Sequence, residues 1–551
     1  MDLEAKSREV LARFTEEGHV RQSLEGRKYL TPFVVGLLVE CAGKENIFTS
    51  GPELEKHSAD HSHHLPCLPE AVIYPRSTEM VSEVMKICHR QRVPVTPCGA
   101  RTGLEGGCIP LGGVSLDLSK MNQVLKLHRE ELQVHVQAGI KKEMLNDYLE
   151  PQGLFFQVDP ASNPSLGGMA ACGSSGTLCC NYGTMKENVV SLTVVLADGT
   201  VISTRRGVRK NSTGYDLTHL CMGQEGTLAV IAELVVKVTP LPKGESSLQV
   251  AFRSLQDCSR AVLRLREARL GLSRCELLNR QSVESLNAMS AGKPLEVVPT
   301  LFLQVHAISE EAAAQEVASA QGIVAECGGE GFVVATGKED QKALWDLRRA
   351  AYYACQKNRQ HMVHYGAKDI RMLSTDVCVP LGNFPRLIEE TEQDYAATAR
   401  ATKVPLLCNI FGHAADGNFH CVVLYDHDNV RDREVLEALD RRMWSRCLAL
   451  GGSVSGEHGC GMGKVPALQA EWGAEAIALM WRLKKCLDEQ EILNPGKLLP
   501  ARGRSPTKTS VHVVELPKLV RRSRKDHFAT AGFKPLHTFL QAEPSKEALL
   551  A

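Results

Sequence analysis

A chain of 551 residues with 43% apolar residues has material for sizeable cores and for about three ordinary domains. Its 64 Lys and Arg balance 64 Asp and Glu, which gives no electrostatic case for nucleic acid or an acidic membrane surface. The 19 cysteines form neither zinc-type Cys-x-x-Cys pairs nor a small secreted framework, so they read as reduced, small apolar residues, and no apolar run is long enough to span a bilayer.

The N-terminus, Met-Asp-Leu-Glu-Ala-Lys, is acidic and begins like a soluble helix, with neither a secretory signal nor an Arg-rich, acid-poor transit peptide in view. Residues 1–50 are predicted as a helical arm with apolar positions Val10, Leu11 and Phe14, then Phe33, Val34, Leu37 and Leu38. His57, His61, His63 and His64 follow without a carboxylate or cysteine at ligand spacing, and are expected to be solvated loop histidines rather than metal ligands. From Ala71 the pattern is strand, helix capped by Ser77, strand over Val93–Val95, then a loop with glycines at 99, 103, 106 and 107, then a strand over Val114–Leu118. A Rossmann or P-loop site needs a helix directly after its glycines. A loop between two strands would instead hold phosphate by successive backbone amides, with Arg101 and Thr102 as side-chain donors; a long surface turn is the plain alternative.

A strand over Leu132–Val136 and a helix over Lys141–Leu149 lead to Asp159–Thr177, a run almost free of large side chains. Such a run suits backbone that comes very close to a ligand, or else tight helix packing. Asp198-Gly199 reads as a hairpin turn. From about Leu248 strands and helices alternate, with Ser254 and Ser309 opening helices, which predicts a ferredoxin-like α+β cap.

Gly412-His-Ala-Ala-Asp-Gly-Asn-Phe-His420 stands between apparent strands Leu406–Ile410 and Cys421–Leu424, and Gly456-Glu-His-Gly459 follows about forty residues on. Three donors that could bind a metal directly and a spare imidazole are the composition of a divalent-metal site with an open position. Two classes of chemistry fit it. A metal-dependent hydrolase would make hydroxide from water, whereas a flavin dehydrogenase would use the metal to bind and acidify a 2-hydroxy acid. The upstream glycine loops favour the flavin.

Six segments resemble one family: Pro97-Cys-Gly-Ala-Arg-Thr-Gly-Leu-Glu-Gly-Gly107, Pro164-Ser-Leu-Gly-Gly-Met-Ala170, Ser174-Ser-Gly-Thr177, Tyr182-Gly-Thr-Met-Lys-Glu-Asn188, Val194-Val-Leu-Ala-Asp-Gly199 and Gly223-Gln-Glu-Gly-Thr-Leu228. They are similar to the FAD-binding domain of the vanillyl-alcohol oxidase family. Within it, the motif order over residues 50–500 resembles the FAD-dependent D-2-hydroxyacid dehydrogenases, and most of all the D-lactate dehydrogenases (cytochrome). The resemblance implies an α+β fold: an arm over 1–50, a two-subdomain PCMH-type FAD-binding domain over 51–242 and the ferredoxin-like cap over 243–450. A small helical segment over 451–500 then returns to FAD and metal. It implies that Gly99, Ala100, Arg101, Thr102 and Gly103 hold the pyrophosphate. Asp159, Ser165, Gly168, Gly173, Ser175, Gly176, Thr177, Ile231 and Asn494 would line the cofactor. Relatives with covalent FAD have a histidine where Leu104 and Glu105 stand, so non-covalent FAD is expected.

By the same resemblance His413, His420 and Glu457 are metal ligands for zinc or manganese, His458 takes the hydroxyl proton as C2 passes a hydride to flavin N5, and Asn418 orients the substrate. Arg348, in Trp345-Asp-Leu-Arg348, would pair with the C1 carboxylate. Relatives acting on 2-hydroxyglutarate carry a lysine where Ser374 stands, which favours D-lactate or another monocarboxylate, with Arg371 and Lys368 as nearby substitutes; D-2-hydroxyglutarate and glycolate remain alternatives. The implied partner is an electron acceptor such as cytochrome c or an electron-transfer protein. The implied location is the mitochondrion, otherwise the cytoplasm, and a homodimer is left open. Departures at Gln137, Ala229, Ala232 and Ala415 keep an inactive flavoprotein as a rival, since a methyl at Ala229 or Ala415 matters if the backbone needs positive φ. The tail over 501–551 is basic in its first half and reads as disordered, or as a docking arm for an acidic partner.

Overall fold

The computed structural model describes residues 30–289 and 294–500. Most of the predicted helical arm and the whole basic tail therefore lie outside the described residues; residues 30–50 of the arm hold the helix Pro32–Ala42 but end in the strand Ile47–Phe48, which pairs with Ala71–Ile73 and so belongs to the first sheet rather than to a helical arm.

The first half is built on two sheets. The strands Ile47–Phe48, Ala71–Ile73, Val114–Asp117 and Val95–Cys98 form one sheet in that spatial order, the last three parallel. The helix Thr78–Gln91 is the crossover that parallel strands require. The Ser77 hydroxyl accepts the Met80 amide at 3.3 Å, and the helix ends at Arg92 with φ 56°. Its Val81, Val84, Met85 and Cys88 recur at helical spacing on the buried face. A second, antiparallel sheet orders Val124–His128, Gln133–Gln137, Val230–Lys237, Val189–Val195 and Val201–Ser203, the last pair closed by the turn at Asp198-Gly199. One continuous apolar core joins both sheets, so neither subdomain can bury its faces alone.

The cap begins with Gly244–Phe252, helix Leu255–Glu267, Leu272–Leu278, Thr300–Ala307, helix Glu310–Glu326 and Gly329–Ala335. In space the four strands run fourth, first, third, second, all antiparallel, which is the ferredoxin-like order. The sheet then grows past its second strand by Asn409–His413, Asn418–Asp426 and Ile370–Ser374. Side chains alternate between two cores. One lies under helices Leu255–Glu267, Glu310–Glu326, Phe384–Thr402 and Val430–Ala449, the other under Arg280–Met289 and Lys338–Lys357.

After Val430–Ala449 the chain crosses back. The helix Val465–Leu487, kinked at Gly473 (φ 74°), leads to Ile492–Asn494, where Val95 donates to Ile492 and Asn494 donates to Val95, both at 2.8 Å. The C-terminal segment thus seals the open edge of the first sheet beside the glycine loop. No helix among the described residues is long and apolar enough to cross a membrane.

Candidate active site

The first loop is tied down by its own chemistry. Arg101 adopts φ 55° and donates to Asp117 Oδ2 at 2.8 Å, beside His57 Nε2 at 2.8 Å. His57 is fully buried and meets Asp117 Oδ2 at 2.7 Å. For His57 this corrects the expectation of solvated histidines, while His61 is exposed as expected: the carboxylate partner of His57 exists, but sixty residues away where no local spacing reveals it. Gly99 and Ser165 touch, since a Cβ on Gly99 would lie 2.1 Å from Ser165 Oγ. Gly176 presses on the backbone of Asp159, with an added Cβ 2.2 Å from its carbonyl carbon. Gly103, Gly107 and Gly173 instead face space, where a Cβ would meet nothing nearer than 3.6 Å.

The side-chain-poor run proves to contain a short helix, Leu166–Cys172, begun after Ser165. Tight packing accounts for part of the run: Gly167 packs against Ala138, its added Cβ 2.6 Å away, while Gly168 meets only Ser165 Oγ, at 3.1 Å. Ala100 and Thr102 are half-buried in the loop, and Ile231 is buried in the shared core. Asp159 is an ion-pair centre: Lys142 lies at 2.7 Å and Arg274 at 2.9 Å. Burial opposes its ionisation, but those two cations bring its pKa down to about 2. Arg274 also donates to Thr177 Oγ1 at 2.9 Å, so this network links the glycine-rich run to the cap. Asn494 donates to Glu225 O at 2.6 Å and Gly107 O at 3.0 Å, while its Oδ1 is buried with no protein partner. A cradle without side chains and an unmatched amide oxygen fit a flavin nucleotide.

Across the hairpin of Asn409–His413 and Asn418–Asp426, His413 stands opposite Asn418 and Phe411 opposite His420. The strands run three residues further into the glycine-bracketed segment than predicted, so both histidines sit on rigid strands flanking a tight turn. Gly417 makes that turn with φ 74°, and a Cβ there would strike Val379 O at 2.1 Å. Glu457 Oε1 lies 3.2 Å from His413 Nε2 and 3.2 Å from His420 Nε2, and one donor atom from each of the three falls within 4.8 Å of the others. The outer nitrogens are already engaged, His413 Nδ1 by Glu276 at 2.6 Å and His420 Nδ1 by Thr375 O at 3.2 Å. Two imidazoles aimed inward with a carboxylate fit a divalent cation with an open position. Ser175 donates to Glu457 Oε2 at 2.6 Å, which brings the glycine-rich run into this site.

His458 stacks on His420, centroids 4.7 Å apart and planes 10° apart. Its Nδ1 is buried without a partner, and desolvation pulls its pKa down to about 4, so the ring is neutral. Asn418 donates to Asp376 Oδ1 at 2.8 Å and to Val377 O, leaving its own Oδ1 buried and unpartnered. Arg348 is tied to Glu276 Oε2 at 2.6 Å and lies 5.2 Å over the Phe411 ring, with Nε buried and unpartnered. Arg371 is spent elsewhere, on Asp369 at 2.7 Å and His63 O at 2.9 Å. Neither Ala229 nor Ala415 has positive φ, so the backbone at these positions does not call for glycine. Glu276 and Asp376 escaped the sequence analysis; the visible signal was a lone carboxylate inside the strand Leu272–Leu278 for Glu276 and between two short strands for Asp376.

A cradle of glycine-rich backbone, joined through Ser175 to an imidazole-carboxylate cluster, fits a flavin-linked oxidoreductase. Residues 69–205 match the FAD binding domain and residues 241–498 match the C-terminal domain of FAD linked oxidases. The chain is 38% identical to a protein of Danio rerio named probable D-lactate dehydrogenase, mitochondrial, over 85% of this chain and 91% of that one. It is 38% identical to D-lactate dehydrogenase [cytochrome], mitochondrial, of Arabidopsis thaliana (83% and 77%) and 30% identical to glycolate oxidase subunit GlcD of Bacillus subtilis (85% and 97%). A solved structure of alkyldihydroxyacetonephosphate synthase matches with TM-score 0.67 at 19% identity, over 85% of this chain and 87% of that one, which shows the fold alone. The chain belongs to the FAD-dependent D-lactate dehydrogenase family of the vanillyl-alcohol oxidase type. It is an FAD-dependent oxidoreductase of 2-hydroxy acids.

Proposed function

We propose that this enzyme oxidises D-lactate to pyruvate with non-covalent FAD and a divalent cation, zinc or manganese. The observation that carries the reading is the convergence of His413, His420 and Glu457 with the stacked His458, joined through Ser175 to the glycine-rich run. When bound, the cation supplies a Lewis acid for the substrate oxygens and FAD supplies the hydride acceptor. Gly99–Gly103, Ser165, Gly168, Gly173, Gly176 and Asn494 hold the cofactor. His458 receives the hydroxyl proton at its unpartnered Nδ1, and Asn418 helps orient the substrate. Arg348 binds the carboxylate from its place beside Glu276. Ser374 replaces the lysine of dicarboxylate users and Arg371 is already paired, which supports a monocarboxylate.

Residues 51–242, 243–450 and 451–500 act as FAD domain, cap and returning segment. Electrons pass to cytochrome c and the enzyme works in the mitochondrion, a reading supported by the names of the Arabidopsis and zebrafish relatives. Glycolate is the second substrate reading, supported by the Bacillus relative.

The test is anaerobic mixing with D-lactate, L-lactate, glycolate and D-2-hydroxyglutarate, following the oxidised flavin band with and without prior chelation. Bleaching by D-lactate that chelation abolishes is expected. A flavin band that only glycolate or hydroxyglutarate bleaches overturns the substrate, and bleaching that survives complete chelation overturns the metal.

A further inference from the structure

The loop that carries Glu457 and His458 has no regular secondary structure, and one buried carboxylate holds it. Asp376 is fully buried between the strands Ile370–Ser374 and Val377–Cys378. Its Oδ2 accepts the Glu457 amide at 2.8 Å, the His458 amide at 2.9 Å and the Ser455 hydroxyl at 2.9 Å. Its Oδ1 accepts Asn418 Nδ2 at 2.8 Å and stands 3.6 Å from His420 Nδ1. One side chain therefore contacts four residues of the cluster, two through their backbone. The packing leaves no slack: a Cβ on Gly456 would lie 2.3 Å from Asn418 Nδ2 and 3.1 Å from Asp376 Oδ1. Behind Asp376, Lys464 Nζ lies 3.7 Å from Oδ2, 3.3 Å from Ser455 Oγ and 3.0 Å from Glu105 Oε1. Glu105 belongs to the first glycine loop, so the contacts run from the nucleotide groove to the histidine cluster.

We propose that Asp376 is the positioning residue of this site, an inference that rests on the reaction proposed above. It orients residues 455–458 so that the Glu457 carboxylate and the His458 ring face the strand histidines together, and Lys464 with Glu105 sets that arrangement against the flavin loop. The physical reason is the donor count. Both oxygens of Asp376 face donors, so an isosteric amide must turn an NH2 group toward an N–H or O–H in either orientation. The loop then loses its anchor while every proposed ligand remains.

The experiment compares the FAD-loaded parent with Asp376→Asn and Ser455→Ala. It measures bound FAD per chain, Mn2+ affinity by titration, and the limiting rate and half-saturation of flavin bleaching by D-lactate. Asp376→Asn is expected to keep its FAD, to bind Mn2+ about 10- to 100-fold more weakly and to lose a similar factor in limiting rate, with little change in half-saturation. Ser455→Ala, which removes one donor of three, shifts affinity and rate in the same direction by less. Parental Mn2+ affinity and rate in Asp376→Asn overturn the proposal, as does loss of FAD in parallel with activity, which marks a general structural defect. If Asp376→Asn does not fold, Ser455→Ala decides: unchanged affinity and rate overturn the proposal. A parent that binds Mn2+ but bleaches with no hydroxy acid overturns the reaction, while the fall in Mn2+ affinity still supports the positioning role.

Discussion

Glu276 joins two residues that lie far apart in sequence: its Oε1 is 2.6 Å from His413 Nδ1 and its Oε2 is 2.6 Å from Arg348. A carboxylate behind a ligating imidazole fixes the ring and its tautomer and raises its basicity. Glu276→Gln keeps the shape and removes the charge. Metal affinity is expected to fall about 10- to 100-fold, with FAD content unchanged, as read by metal titration of the flavin-loaded protein. Parental affinity would show that His413 is held by its strand alone.

Arg348 is expected to act on substrate and on stability at once. Arg348→Ala raises the half-saturation for D-lactate strongly and leaves FAD bound. It also leaves Glu276 buried with only His413 to face, and breaking a buried pair from one side costs about 3–5 kcal/mol, so the melting temperature falls. An unchanged half-saturation with a lowered melting temperature would make Arg348 a structural partner of Glu276 and remove it from the substrate site.

Glu276 shows where sequence reading stops. The glycine loops and the helices capped by Ser77, Ser254 and Ser309 were legible, because each signal is local: glycines that admit close backbone, or a hydroxyl one turn ahead of an amide. His413, His420 and Glu457 stood out as donors bracketed by glycine. The outer shell did not. Glu276 meets His413 across 137 residues, Asp376 meets Glu457 across 81, and His57 meets Asp117 across 60. Such pairs are set by which strands become neighbours, and spacing along the chain carries no trace of that.

His306 gives stability an acid limb. It sits where the cap meets the FAD-binding half, with the Tyr182 hydroxyl 2.8 Å from Nδ1 and Glu245 and Arg274 nearby. Burial, with Arg274 adding to it, pulls its pKa from 6.5 down to about 4. Between those values the unfolded chain binds a proton that the folded one refuses, so stability rises with pH across this window. The contribution is complete above pH 6.5 and is lost as pH falls toward 4. Its size is on the order of 3 kcal/mol. Denaturant melts of the parent and of His306→Gln at several pH values test this. The difference between the two curves should change across that window and stay flat above it; a difference flat throughout would show that His306 titrates normally.

Gly176 tests the cradle itself. A Cβ there would lie 2.2 Å from the carbonyl carbon of Asp159, 2.4 Å from its oxygen and 2.6 Å from Pro160 N. These are backbone atoms, so no rotamer change relieves the clash, and the two segments must part. The carboxylate of Asp159 would move with them, away from Lys142, Arg274 and Thr177. Gly176→Ala is therefore expected to give protein that purifies without its flavin band, or with a small fraction of it, and that melts at lower temperature. Gly382→Ala is the control, since that glycine has open space and no positive φ, and it should leave flavin content and melting unchanged. A Gly176→Ala protein with full flavin content would place the cofactor away from the Asp159–Gly176 contact and leave the Gly99–Ser165 contact as its anchor.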